Sequence, residues 1–171
     1  MRKLETLEAC NVGSLERLVV KDSKGKCELN KLKTIHLVNN KIKSLNLSVV
    51  PNLEEVYVGG KLTNLNINQC KRLKKLLIDS NSLKKLIIKN RSLKYLDVSS
   101  KVIQKINVTG CPNLIGVTID RKSKASMGNL DLSKNKKLVY FHANRNARFK
   151  KIILPKSVSY THLRAHETRH D

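Results

Sequence analysis

The sequence predicts a solenoid of stacked parallel β coils, each about 20 to 21 residues long, with little or no regular α-helix. Three observations point there. An L-x-x-L-x-L pattern, with Ile, Val or Phe exchanging for Leu, recurs along the 171 residues; two series of it interleave; and the hydrophobic 40% of the chain is almost wholly aliphatic, aromatics making up 4% with no Trp. A core of Leu, Ile and Val suits repeated, near-identical layers.

The first series runs Leu32-Ile35-Leu37, Leu53-Val56-Val58, Leu73-Leu76-Ile78, Leu93-Leu96-Val98 and Leu114-Val117-Ile119, with starts 21, 20, 20 and 21 residues apart. The second runs Ile42-Leu45-Leu47, Leu62-Leu65-Ile67, Leu83-Leu86-Ile88 and Ile103-Ile106-Val108, with starts 20, 21 and 20 apart. After a basic insertion around Arg121-Lys122-Ser123-Lys124, Met127-Leu130-Leu132, Leu138-Phe141-Ala143 and Phe149-Ile152-Leu154 continue both. Within each unit the last two apolar positions are two apart, as in a strand with one buried face, and the first turns inward from the preceding bend. One such coil cannot cover its own apolar edge. Coils therefore stack, about 4.8 Å apart, with their backbones paired in parallel.

The strings LKTIHLVNN, LKKLLIDSN, LDLSKNKKL and LVYFHANRN resemble the leucine-rich repeat family. Joined as LDLSKNKKLVYFHANRN, the last two are similar to the short bacterial repeats of internalin-type surface proteins. The resemblance covers about residues 4 to 155. It implies that the L-x-x-L-x-L strands line a concave parallel sheet, and that an Asn three residues after the last Leu caps backbone groups in the bend. Asn40, Asn81 and Asn146 match that position in the first series, and Cys70, Cys111 and Asn135 in the second; Val50 and the shortened bend at Gly59-Gly60 depart from it. Three regions follow: irregular N-terminal coils or a cap over 1–31, the regular solenoid over 32–155, and a non-native tail over 156–171.

That tail contains HETRH, His166 to His170, which fits the H-E-x-x-H pattern of zinc peptidases. Histidines four apart on a helix can share one zinc, with the Glu between them taking a proton from bound water. The surrounding string VSYTHLRAHET, Val158 to Thr168, resembles one reading frame of a transposase-type sequencing adapter. The motif is accordingly set aside as a scar, and the natural protein is expected to continue past Pro155 into more coils. No other catalytic constellation, metal site or cofactor is expected. His36 and His142 would lie about five coils apart, too far for one site.

The four cysteines, Cys10, Cys27, Cys70 and Cys111, form no C-x-x-C pair, so a zinc knuckle is not supported. Cys70 and Cys111, two coils apart, would be separated by roughly 9 to 10 Å, beyond disulfide reach. They are expected to be buried and structural.

Binding residues belong at the outward positions of the strands. In the first series these include His36, Tyr57, Lys75, Tyr95, Asp97, Thr118, Tyr140 and His142, a row holding three of the chain's four tyrosines. Tyr and His offer broad amphipathic contact, so this is the expected face for a protein or glycan partner. The outward residues of the second series are mostly Lys and Asn, a solvated backing.

Charge offers a second reading. Lys and Arg number 35 against 13 Asp and Glu, a formal net charge of +22. With 26 Lys, 9 Arg and 17 Asn, part of that excess fits an A+T-rich gene. Lys74, Lys84, Lys85, Lys94 and Lys105 fall on successive coils, within a Debye length of one another, as rows that an anionic polymer would neutralise. Specific nucleic-acid recognition is not expected, because aromatic interleaving is sparse and no nucleic-acid motif occurs. No stretch approaches a membrane span and the N-terminal segment has no secretory pattern. The internalin-type resemblance implies part of a larger surface or secreted protein, with an intracellular repeat module left open.

Overall fold

A computed structural model describes residues 3–20, 27, 29–121, 126–144 and 147–156. The fold is a leucine-rich-repeat solenoid, and among the described residues it contains no helix.

Seven strands form one parallel sheet, here the long sheet: β1 (Thr6–Glu8), β2 (Thr34–Leu37), β4 (Glu55–Gly60), β6 (Lys75–Ser80), β8 (Tyr95–Ser100), β10 (Gly116–Arg121) and β12 (Tyr140–Ala143). They are the strands of the first series, and β1 extends the sheet into the segment that the sequence set apart as a cap. The register runs Ile35, Val56, Leu76, Leu96, Val117 and Phe141 across neighbouring strands, so identical pattern positions stack directly. The alternate strands belong to the second series: β3 (Ser44–Asn46), β5 (Asn64–Asn66), β7 (Lys85–Ile87), β9 (Lys105–Asn107), β11 (Met127–Asp131) and β13 (Phe149–Ile153). They pair only in twos, β3 with β5, β7 with β9 and β11 with β13.

Between the two sides lies an aliphatic core. Leu32, Leu53, Leu73, Leu93 and Leu114 are all 0% exposed, and the second-series residues Ile42, Leu62, Leu83 and Ile103 are at most 1% exposed. Each buried Leu or Ile contributes roughly 1.5–3 kcal/mol by leaving water.

The bends hold two polar columns. One comprises Cys70, Asn90, Cys111 and Asn135, each 5% exposed or less, with the apolar Val50 in the same place one coil earlier. Its side chains bond back to carbonyls of the preceding coil. Asn90 Nδ2 donates to the Cys70 carbonyl at 2.9 Å, Asn135 Nδ2 to those of Cys111 at 2.7 Å and Val108 at 3.0 Å, and the Cys70 thiol to that of Leu47 at 3.2 Å. The cysteines are free, and burial pushes the Cys70 thiol up to about 12.

The other column corrects the expected bend positions. Asn40 is buried and its Oδ1 accepts from the Ile42 N–H at 2.9 Å, but Asn81 is exposed. Ser80 and Ser100, both 0% exposed, fill the place instead. Strands β6 and β8 run six residues in unbroken alternation, so the inward sequence is Leu76, Ile78, Ser80 and Leu96, Val98, Ser100. In the Asn40 coil, Asn39 takes a positive φ of 53° and shifts the inward position by one. Gly60, at φ +86°, packs so closely that a Cβ there would lie 2.4 Å from the Asn40 carbonyl oxygen. Asn146 lies outside the described residues, as do Lys122, Lys124 and the whole of HETRH.

Candidate functional site

The outward face of the long sheet carries three parallel rows. Thr34, Glu55, Lys75, Tyr95, Gly116 and Tyr140 share one register line; His36, Tyr57, Leu77, Asp97, Thr118 and His142 share the next; Gly59, Asp79, Ser99 and Asp120 extend a third. All eight residues expected on the partner face therefore stand on one surface. His36 and His142 are separated by five strand steps, as the sequence indicated.

The N-terminal part of this face is internally satisfied. His36 Nδ1 lies 3.4 Å from a Glu8 carboxylate oxygen, and the His36 and Tyr57 rings meet edge to face at 6.0 Å. Lys75 pairs with Glu55 at 2.9 Å. Such exposed ion pairs, screened by water, contribute little stability.

Further along, the face opens. Tyr95 and Tyr140 are 46% and 48% exposed, and Gly116 lies between them. Lacking a side chain, Gly116 leaves a notch whose walls are the two tyrosines and whose floor includes Leu77, Asp97 and Thr118, with Lys75, already paired to Glu55, at its edge. Tyr140 in turn stacks on His142, ring centres 6.4 Å apart and planes 8° from parallel. Glycine inside a strand often marks a place where something approaches the backbone. The repeat pattern puts Gly116 at an outward position, and the lone Gly between Tyr95 and Tyr140 on adjacent coils is visible in the sequence.

The notch borders acid. Asp79, Asp97 and Asp120 sit on neighbouring strands in a chain with 13 carboxylates in all. Burial, then the Asp120 and Asp79 charges, hold the Asp97 carboxyl above its ordinary value, with His142 pulling the other way. Asn144 Nδ2 donates to Asp120 Oδ1 and so steadies that edge. Among the described residues no three His, Cys, Asp or Glu side chains gather to hold a metal.

The lysines expected to form polyanion rows divide between two surfaces. Lys74 and Lys94 stand on the rim leading into the long sheet, where the Lys94 N–H donates to the Lys74 carbonyl. Lys84, Lys85 and Lys105 belong to the second-series side, Lys85 opposite Lys105. They do not form a single field. On that side Ile87 is 46% exposed where its register partner is Asn107, and Asn46, Asn66, Asn107 and Asp131 each accept from the N–H two residues on, closing short turns.

These features define an internalin-like leucine-rich-repeat solenoid with an open sheet face. Among solved structures the chain resembles the functional domain of InlJ from Listeria monocytogenes, described as including a cysteine ladder, with a TM-score of 0.65 and 23% identity. The likeness covers 82% of this chain and 30% of that one. No family model and no curated protein matches the chain.

Proposed function

We propose that this solenoid is a non-enzymatic interaction module of a larger surface or secreted protein, and that it binds a protein partner through the outward face of the long sheet. The observation that carries this reading is the Tyr95–Gly116–Tyr140 notch with Asp97 at its floor. Exposed aromatic walls around a small depression are what a protein anchor side chain fills. With Asp79, Asp97 and Asp120 nearby, the fitting anchor is a Lys or Arg, whose stem packs on the tyrosines while its charge faces the acids. The internalin-like fold supports the mode of binding, because stacked repeats present such extended surfaces, without specifying the ligand.

Selection of a displayed peptide library on the full chain tests this reading. Recovered peptides should carry a basic residue, bind in moderate salt, and lose about tenfold or more in affinity on Tyr95→Ala or Tyr140→Ala. Peptides that bind these variants as well as the parent would remove the notch from consideration.

A further inference from the structure

A second surface, separate from the notch, is built along the rim where each coil turns into the long sheet. There Lys71, Arg72, Lys74, Arg91, Lys94 and Lys137 line one open groove of about 650 Å³. The only carboxylate in its lining is Glu54, and Lys74 Nζ already holds it at 2.6 Å.

The rim is graded along the solenoid. Its N-terminal stretch, lined by Glu5, Lys31, Lys33, Glu54 and Arg72, alternates sign, and Lys33 pairs with Glu5 at 2.9 Å. The row Glu5, Lys33, Glu54, Lys74, Lys94 follows successive coils, each N–H donating to the carbonyl before it. The alternation ends at Lys94, which follows Lys74 with the same sign, and the next place in the row is Ile115. Among the described residues no carboxylate comes within ion-pairing distance of Arg91, Lys94 or Lys137.

The floor of the groove is fixed by its own hydrogen bonds. Ser92 Oγ donates to the Lys71 carbonyl, and Asn113 Nδ2 donates to that of Arg91 at 2.7 Å. These polar groups are occupied in tying coil to coil. What the groove offers a ligand is cationic charge: Lys71, Arg72 and Lys74 on one coil, Arg91 and Lys94 on the next, about 4.8 Å away, and Lys137 two coils further on. Like charges held that close repel one another within a Debye length, and a bound polyanion relieves the repulsion.

We propose that this rim is a binding site for a linear acidic glycan, a chain bearing carboxylate or sulfate groups. Five cations crowded onto two adjacent coils are neutralised by a chain carrying closely spaced anionic groups. No aromatic ring lines the groove, so it has no stacking platform of the kind that gives single-stranded nucleic acid its affinity.

Fluorescence anisotropy of the full chain with a labelled heparin-type octasaccharide tests the site, with an uncharged oligosaccharide of equal length and an equally charged single-stranded DNA beside it. The octasaccharide should bind at low salt, weaken steeply as salt rises, and bind at least as tightly as the DNA. Arg91→Glu with Lys94→Glu should weaken it about tenfold or more. Lys84→Glu with Lys85→Glu changes the charge identically on the other side and should leave affinity within about twofold. Equal losses in the two double variants, tighter DNA binding, or no octasaccharide binding at low salt would each overturn the proposal. Circular dichroism of both variants separates a lost site from a lost fold.

Discussion

A methyl group placed on Gly116 would stand 3.0 Å from Cδ1 of Tyr95, closer than side chains ordinarily pack. The backbone of β10 and the ring carried by β8 are thus fitted to each other only because Gly116 has no side chain. Gly116→Ala should push the half-exposed Tyr95 ring aside by a few tenths of an ångström and narrow the notch. Stability should change by less than about 1 kcal/mol, since alanine suits a strand better than glycine. Affinity for notch-selected peptides should fall several-fold. Urea titration and peptide binding, measured on the same variant, distinguish the two effects.

The buried columns predict a contrast between two asparagines. Asn135 is 0% exposed and serves two carbonyls of the preceding coil. Asn135→Ala removes one hydrogen bond from each carbonyl, which keep the N–H groups of Cys111 and Leu114 as partners, and the two lost bonds should cost about 1–3 kcal/mol. Asn81 is exposed, and Asn81→Ala should stay within about 0.5 kcal/mol of the parent. Equal midpoints for the two variants in urea would contradict the column as described.

Asp97 makes stability depend on pH in a stated direction. Its carboxyl is held above its ordinary value by burial and by Asp120 and Asp79, so the folded state keeps that proton more firmly than the unfolded chain does. Stability is then lost as pH rises from the ordinary carboxylate range through the raised value, and the deficit persists at neutral pH. Asp97→Asn should raise Tm at pH 7 by on the order of 1–2 °C. The gain should vanish once the medium is acid enough to protonate the parent carboxyl in both states.

The thiols should separate by reactivity. Cys10 is exposed, while Cys70 and Cys111 are buried with their thiols pushed up, Cys70 to about 12. Because the thiolate is the reactive form, iodoacetamide at pH 8 should modify Cys10 within minutes and spare Cys70 and Cys111 until the chain is denatured. Mass mapping of the alkylated peptides reads this directly.

The solenoid was legible in the sequence because burial acts through a fixed geometry. Leu76 and Ile78 must share a face at period two, and Leu53, Leu73 and Leu93 must each enter from a bend. The bends were less legible because their length varies. Counting forward from Ile88 misses Asn90, since that half-coil is one residue shorter than its neighbours. Counting back from the next leucine finds it, as Asn90 precedes Leu93 by the same three residues that separate Cys70 from Leu73 and Cys111 from Leu114. Asn81 was misplaced for a related reason: without a positive-φ residue such as Asn39, the strand keeps alternating and Ser80 arrives inside first. The binding surfaces were half visible. Periodicity assigned Tyr95, Asp97 and Tyr140 to one face, but the notch depends on the absence of a side chain at Gly116. The division of the lysines depends on which bend each one occupies, and charge counting cannot supply that.

One side of this molecule is stitched without interruption across seven strands, and the other only in pairs. Pulled from its two ends, such a body yields unevenly. Among the described residues no backbone hydrogen bond joins β5 to β7, and one alone, from the Gly128 N–H to the Gln104 carbonyl, bridges β9 and β11, so the coils splay there first while the opposite side holds. A domain of this kind, strung between an anchor and a captured partner, would bend at two creases under load before it unravelled, keeping its Tyr95–Tyr140 surface assembled.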